Sequence, residues 1–232
     1  RSLEMPWCLK ITDMGLQALT AQPKLKHLNI SGCQLITEAG ISLLSHFVNL
    51  ESLNLLNTGY AKVCVTDAAL EKLSGLSNLS SLSIGSVHLQ NTHTSDAGIL
   101  TIARSFPKMK QLCLMWLDIS NDAVYALSKM QSLTSLCLRG CSRVTSDALA
   151  HIAALTGLQE LNLQNNPWMD TNDDVLEQIA PLREIEKLSL GDMHIGNILS
   201  DNGVAALAGF KKLQNLSMQF FEWQFAGSGL GD

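Results

Sequence analysis

Six cysteines, six histidines and 21 acidic residues are the groups in this 232-residue chain that could do chemistry. Cys8, Cys33 and Cys141 share one setting, each followed three residues later by an aliphatic residue and then Thr. A cysteine repeated in that way reads as a small packing side chain. Cys113 and Cys137 stand 24 residues apart, each between two leucines. On adjacent strands they would face one surface as a candidate disulfide or metal pair. Adjacent strands rarely suit disulfide geometry, so two small half-exposed side chains are the simpler reading. Cys137 and Cys141 lack the paired spacing of a zinc site. Asp170, Asn172 and Asp174 resemble the start of a calcium loop, but the sixth and twelfth positions are Val175 and Pro181 in place of Gly and Glu. The histidines are scattered, and His88 and His93 share one long turn. There is no Gly-x-Ser-x-Gly elbow and no phosphate loop. Asn29, Asn78 and Asn215 begin glycosylation triplets that lie in or beside predicted strands, as chance would place them. No catalytic residue, metal ligand or cofactor is therefore expected.

Such side chains act only through the elements that hold them, and those elements repeat. Leu is the compositional outlier, 41 of 232 residues, while aromatic residues are 5%. A Leu-x-x-Leu-x-Leu phrase begins at Leu25, Leu50, Leu79, Met109, Leu133, Leu158, Ile185 and Leu213, with a truncated copy at Leu3 and Met5. The intervals run from 24 to 30 residues. Leu-x-Leu places two side chains on one face of a short strand. A second phrase follows each first one, as in Thr12, Asp13, Gly15, Leu16 and Leu19. It returns strongly at Thr37, Thr66, Ser95 and Ser200, and weakly at Ser120, Thr145 and Asn172. The Thr or Ser should cap a helix, and the acidic residue after it suits the helix dipole. The Gly or Ala permits close helix approach, and the apolar pair faces inward. Such a strand–helix unit cannot bury its apolar face alone, so about nine must stack.

Composition agrees with one continuous aliphatic core: 46% hydrophobic and 16% charged residues. The formal charge is −5, and no basic run exceeds Lys211-Lys212, which argues against a nucleic-acid partner. No stretch of ~18 apolar residues predicts a membrane span. The N-terminus has no signal-peptide pattern and no initiator Met, so the chain reads as a piece of a longer or processed protein. The cysteines read as reduced thiols, which predicts a cytoplasmic or nuclear setting. Residues 1–222 are expected to form one domain. Residues 223–232, with their Gly-Ser-Gly run, read as a disordered or non-native end.

The combined phrases resemble the leucine-rich repeat. More narrowly, Cys33, Ile36, Thr37, Gly40 and Ile41 are similar to the cysteine-containing subclass found in F-box leucine-rich-repeat proteins. Cys8 to Leu16 and Cys141 to Leu149 carry the same pattern. The resemblance implies an α/β solenoid, a right-handed α/β horseshoe arc with parallel strands on the concave face and helices on the convex face. It also implies a protein-binding role, in its specific form the substrate-recognition repeats of a ubiquitin-ligase adaptor. That family acts through the F-box, and no F-box motif occurs within this chain.

A curved repeat surface is a place to hold another protein rather than a catalytic pocket. The expected concave positions are small, polar and weakly charged, with His27 among them. At the rim after each strand stand larger groups: Trp7, Leu56, Met115, Trp116, Arg139, Gln164 and Phe220. Met115, Trp116 and Arg139 should be neighbours and form the best candidate anchor. Core filling is the competing role for Met115 and Trp116, and a solvated side chain for Arg139. The expected partner is another protein, with no nucleic acid and no membrane, bound by a monomer or a subunit of a hetero-complex. A structural scaffold, a pathogen effector and a GTPase-regulating repeat protein are the alternative functions.

Overall fold

The structure is a computed structural model, and it describes residues 1–58, 65–86, 93–166, 173–191 and 200–218. Nine strands form a single parallel sheet in chain order: β1 (Ser2–Glu4), β2 (His27–Asn29), β3 (Ser52–Asn54), β4 (Ser81–Gly85), β5 (Gln111–Met115), β6 (Ser135–Cys137), β7 (Glu160–Asn162), β8 (Lys187–Ser189) and β9 (Asn215–Ser217). Between them lie α1 (Asp13–Leu19), α2 (Glu38–Leu43), α3 (Asp67–Leu73), α4 (Asp96–Ser105), α5 (Asn121–Leu127), α6 (Leu149–Ala153), α7 (Asp173–Gln178) and α8 (Asp201–Leu207). Short 3₁₀ turns, Leu44–His46 and Ser146–Ala148, extend α2 and precede α6.

The register places the central leucine of each strand beside its counterpart: Leu28 beside Leu53, Leu82 beside Leu112, Leu136 beside Leu161. These leucines are 0 to 1% exposed and point inward with the aliphatic residue two positions on, Ile30, Leu55, Ile84, Leu114, Leu138 or Leu163. The leading leucines and the helix residues Ile41, Leu70, Ile99, Val124, Leu149 and Leu176 close the same core. Each fully buried aliphatic side chain contributes roughly 1.5–3 kcal/mol. Strands stack at about 4.8 Å, whereas packed helices need about 8–10 Å. The ladder therefore bends with its strands inside.

Two side-chain columns and one backbone column tie unit to unit. The caps form as expected on Thr37, Thr66, Ser95, Ser120 and Ser200, each accepting a first-turn N–H. Thr12 and Thr145 cap no N–H with their side chains. The acidic residue that follows does more than meet the dipole. Asp13 accepts from the backbone N–H and hydroxyl of Thr37, at 2.8 and 2.6 Å. Asp67 does the same with Ser95, Asp96 with Ser120, and Asp173 with Ser200. Asn121 repeats the pairing on Thr145 with an amide. The small residue three positions after the cap makes room for this carboxylate: a Cβ at Gly40 would overlap Asp13, and one at Gly98 would overlap Asp67.

The second column holds Cys33, Thr58, Cys141 and Asn166. Each donates to a carbonyl of the preceding unit: Met5, Ile30, Leu114 and Leu138, at 3.2, 2.9, 3.5 and 3.0 Å. The repeated cysteine is thus a buried donor as well as a packing group. Burial pushes the Cys141 thiol up to about 12. The third column is a left-handed turn just past the strand, at Trp7, Gly32, Asn57, Trp116, Gly140 and Asn165, with φ between 56° and 72°. Their N–H groups donate across to the carbonyls of Ser31, Leu56, Gly85, Arg139, Gln164 and Gly191.

Candidate functional site: the concave face of units five to seven

The outward positions of β5, β6 and β7 build one patch. Gln111, Ser135 and Glu160 form its first row, and Cys113, Cys137 and Asn162 its second. Met115, Arg139 and Gln164 form the third, because the backbone ladder continues past the strand ends. Met115, Trp116 and Arg139 are neighbours, as expected: Trp116 N–H donates to the Arg139 carbonyl at 2.8 Å. All three are half-buried.

Trp116 adopts φ 56°, uncommon for a bulky residue. Its ring lies over Gly140, where a Cβ would collide with it. Trp7 repeats the arrangement over Gly32, with φ 58° and 53% exposure. These rings therefore cover glycines of the neighbouring turn rather than fill the core. Arg139 is not a loose solvated side chain. With the Asn165 amide oriented to satisfy both groups, its oxygen accepts from Arg139 Nε and Nη2, each at 2.8 Å. Asn165 is itself 7% exposed and held in the left-handed turn. A neutral amide fixes the guanidinium without cancelling its charge.

Beside Arg139 the rows are cross-linked. Glu160 accepts from Ser135 Oγ at 3.2 Å and from Lys187 Nζ at 2.5 Å. The Lys187 ammonium holds the Glu160 carboxyl below its ordinary value, against the opposing effect of burial. Gln164 Nε2 donates to Ser217 Oγ at 3.2 Å, two strands away. Its own N–H is taken by Asn162 Oδ1 at 3.0 Å.

The other candidates are placed apart. Trp7 stands at the first unit, and His27 and Leu56 are half-buried on β2 and just after β3. Phe220 lies outside the described residues, as do the tail 223–232, His88, the residues 170–172 that begin the calcium-like stretch and most of the long turns 57–65 and 85–94. Asp173, from the same acidic stretch, is a helix start bound to Ser200. Asn29 accepts the Ser31 N–H inside the concave face, and Asn78 donates to the Val48 carbonyl. Asn165 escaped the sequence reading, although its place in the column of Asn57 and Gly140 was a signal for it.

Among the described residues no group of three or more His, Cys, Asp or Glu is placed to hold a metal. No helix there is long and apolar enough to cross a membrane. A groove of about 340 Å³ lies off this face, on the edge that precedes the strands, lined by Glu51, Asn78, Ser80, Lys108, Lys110 and Ser132.

No protein-family model matches the chain. It is similar to a Caenorhabditis elegans protein described as putative RNA-binding protein EEED8.10, 25% identical over 207 residues that make up 87% of this chain. The match spans 26% of that relative, about a quarter of its length. Among solved structures, internalin C2 of Listeria monocytogenes superposes with a TM-score of 0.51 at 19% identity, covering 89% of this chain and 92% of that one. Internalin C2 is a leucine-rich-repeat protein. With nine in-register parallel strands and eight helices among the described residues, the chain folds as an α/β leucine-rich-repeat solenoid.

Proposed function

We propose that this chain is a protein-recognition module whose concave face at units five to seven holds a partner protein. One observation carries the reading: Arg139 is fixed by Asn165 beside half-buried Met115 and Trp116, while its charge stays uncompensated by any carboxylate in the described ion pairs. A rigid cation beside apolar surface suits a partner carboxylate flanked by an apolar side chain, the usual make-up of an interface anchor. In its specific form the module supplies substrate recognition to a ubiquitin-ligase adaptor, in a cytoplasmic or nuclear setting. Scaffold, effector and GTPase-regulating roles would use the same face.

The test is affinity capture with the wild type and a folded Met115→Ser/Arg139→Ala variant, compared by quantitative mass spectrometry. Partners should be lost from the variant, with ligase subunits or their substrates among them. Unchanged recovery rejects the patch.

The name of the relative favours RNA as a second reading. Lys24, Lys26, Lys108, Lys110, Lys129 and Lys211 do line the edge where helices return to strands. Glu51 and Glu184 interrupt that edge by pairing with Lys26 and Lys212, and the formal charge is −5. Electrostatic RNA binding grows with the number of clustered, unpaired basic residues, which these ion pairs and the acidic balance reduce, so protein is the better-supported partner. Filter binding of single-stranded RNA at 50 and 200 mM salt separates the two. Tight binding that collapses with salt would favour RNA.

A further inference from the structure

Cys33 and Cys141 are sealed in the core and spend their S–H groups on carbonyls of the preceding unit. Cys113 and Cys137 face the other way. They stand directly opposite each other in the β5–β6 register, both half-buried on the concave face. One strand apart on the same face, the two thiols lie side by side and each acts on the other's ionisation. Arg139 stands two residues on along the same face, and its backbone N–H and guanidinium favour a charged Cys137 sulfur. The neighbouring Cys113 and Arg139 hold the Cys137 thiol below its ordinary value despite burial, while Cys137 and burial push Cys113 up. The arginine beside it makes Cys137 the better attacking sulfur of the pair.

We propose that Cys113 and Cys137 form a reversible dithiol–disulfide site in the concave face, with Cys137 the attacking sulfur, Cys113 the resolving thiol and a hydroperoxide the oxidant. The Cys137 thiolate attacks the terminal oxygen of the hydroperoxide. An S–O bond forms and the O–O bond breaks. The departing alkoxide or hydroxide takes up the proton that Cys137 released and leaves as alcohol or water. Cys113 sulfur then attacks the Cys137 sulfenic acid. The S–S bond forms, the S–O bond breaks, and the hydroxide leaves as water with the Cys113 proton. Two thiols give up two electrons and the peroxide takes both.

The strand ladder sets the geometry. In-register Cα atoms lie one strand spacing apart, about 4.8 Å, inside the 4.4–6.8 Å range that disulfides occupy. Parallel neighbours project their side chains side by side rather than toward each other. That makes the bond strained and easily reduced, as a reversible site requires. Its closure draws together the side chains beside Met115 and Arg139.

The test treats the folded chain with one to five equivalents of hydrogen peroxide, blocks free thiols and digests with trypsin without reductant. Cleavage after Lys110, Lys129, Arg139 and Arg143 puts the three thiols on separate peptides, 111–129, 130–139 and 140–143. The expected result is a 111–129 to 130–139 cross-link that dithiothreitol removes, with Cys141 still free. In Cys113→Ser, dimedone should trap a sulfenic acid on Cys137. In Cys137→Ser, Cys113 should stay reduced, with circular dichroism confirming that both variants fold. Full recovery of blocked free thiols at 113 and 137 would overturn the proposal. So would dimedone capture on Cys113 alone or a cross-link to Cys141. None of these outcomes depends on a bound partner, so the site stands or falls separately from the recognition role.

Discussion

At the scale of single residues, the left-handed turns decide which side chains are exchangeable. Gly140 has φ 72° and a tryptophan ring where its Cβ would be. Gly140→Ala should lose about 2 kcal/mol in urea unfolding, from backbone strain together with displacement of Trp116. Adding Trp116→Ala should relieve the steric part and leave the backbone part. If the double variant is no more stable than the sum of the single losses, the ring does not occupy that space. Thiol reactivity separates along the same fine lines. Burial raises Cys141 to about 12, whereas Cys137 is lowered by its neighbours. Iodoacetamide near neutral pH should therefore label Cys137 on the order of 100-fold faster than Cys141, as followed by mass spectrometry over time. Equal rates would contradict the burial pattern.

At the scale of elements, the starts of α2, α4, α5 and α8 and the turn into α6 are held by the unit before them. Replacing Asp96 by Ala removes two hydrogen bonds to Ser120 and should cost about 1–2 kcal/mol. Asp96→Asn should cost less, because Asn121 makes the same pairing on Thr145. Acid should act on this column too. The Ser200 hydroxyl and backbone N–H hold the Asp173 carboxyl below its ordinary value. A depressed folded-state value means its stabilising bonds are intact above the unfolded value, near 3.9. They are lost as pH falls through the folded value. Thermal unfolding between pH 5 and pH 2 should show a steeper decline for the wild type than for Asp173→Asn. Parallel curves would show that the carboxylate is not linked to folding.

At the scale of the whole molecule, every unit is stabilised by its neighbours, so the ends are weakest. Leu216 in β9 is 38% exposed, and Leu3 in β1 is only partly buried, whereas the central strand leucines Leu82, Leu112, Leu136 and Leu161 are 0 to 1% exposed. Hydrogen exchange should be slowest in β4 to β7 and fastest in β1 and β9. A uniform protection profile would mean that unfolding is all-or-none rather than propagated. The electrostatics are also set at this scale. Stacking lines up the acidic residues that start six of the eight described helices along one edge and most lysines along the other. Neither edge is legible as a run of charge along the chain.

Much of this architecture was readable before any coordinates. The period of 24 to 30 residues, the Leu-x-Leu strands and the Thr/Ser caps are local patterns. A strand's face and a helix's first turn follow from residues only a few positions apart. The register of Cys113 against Cys137 followed from the repeat as well. Other features depend on residues 23 to 30 positions away that touch only after stacking. Asp13 reaches Thr37, and the repeated cysteine donates its S–H to a carbonyl of the unit before it. The amide of Asn165 fixes Arg139, and the Trp116 ring covers Gly140. Composition and spacing show which groups a repeat carries. Which of them are consumed in holding neighbours together, and which face a partner, depends on distances that exist only once the units close on one another.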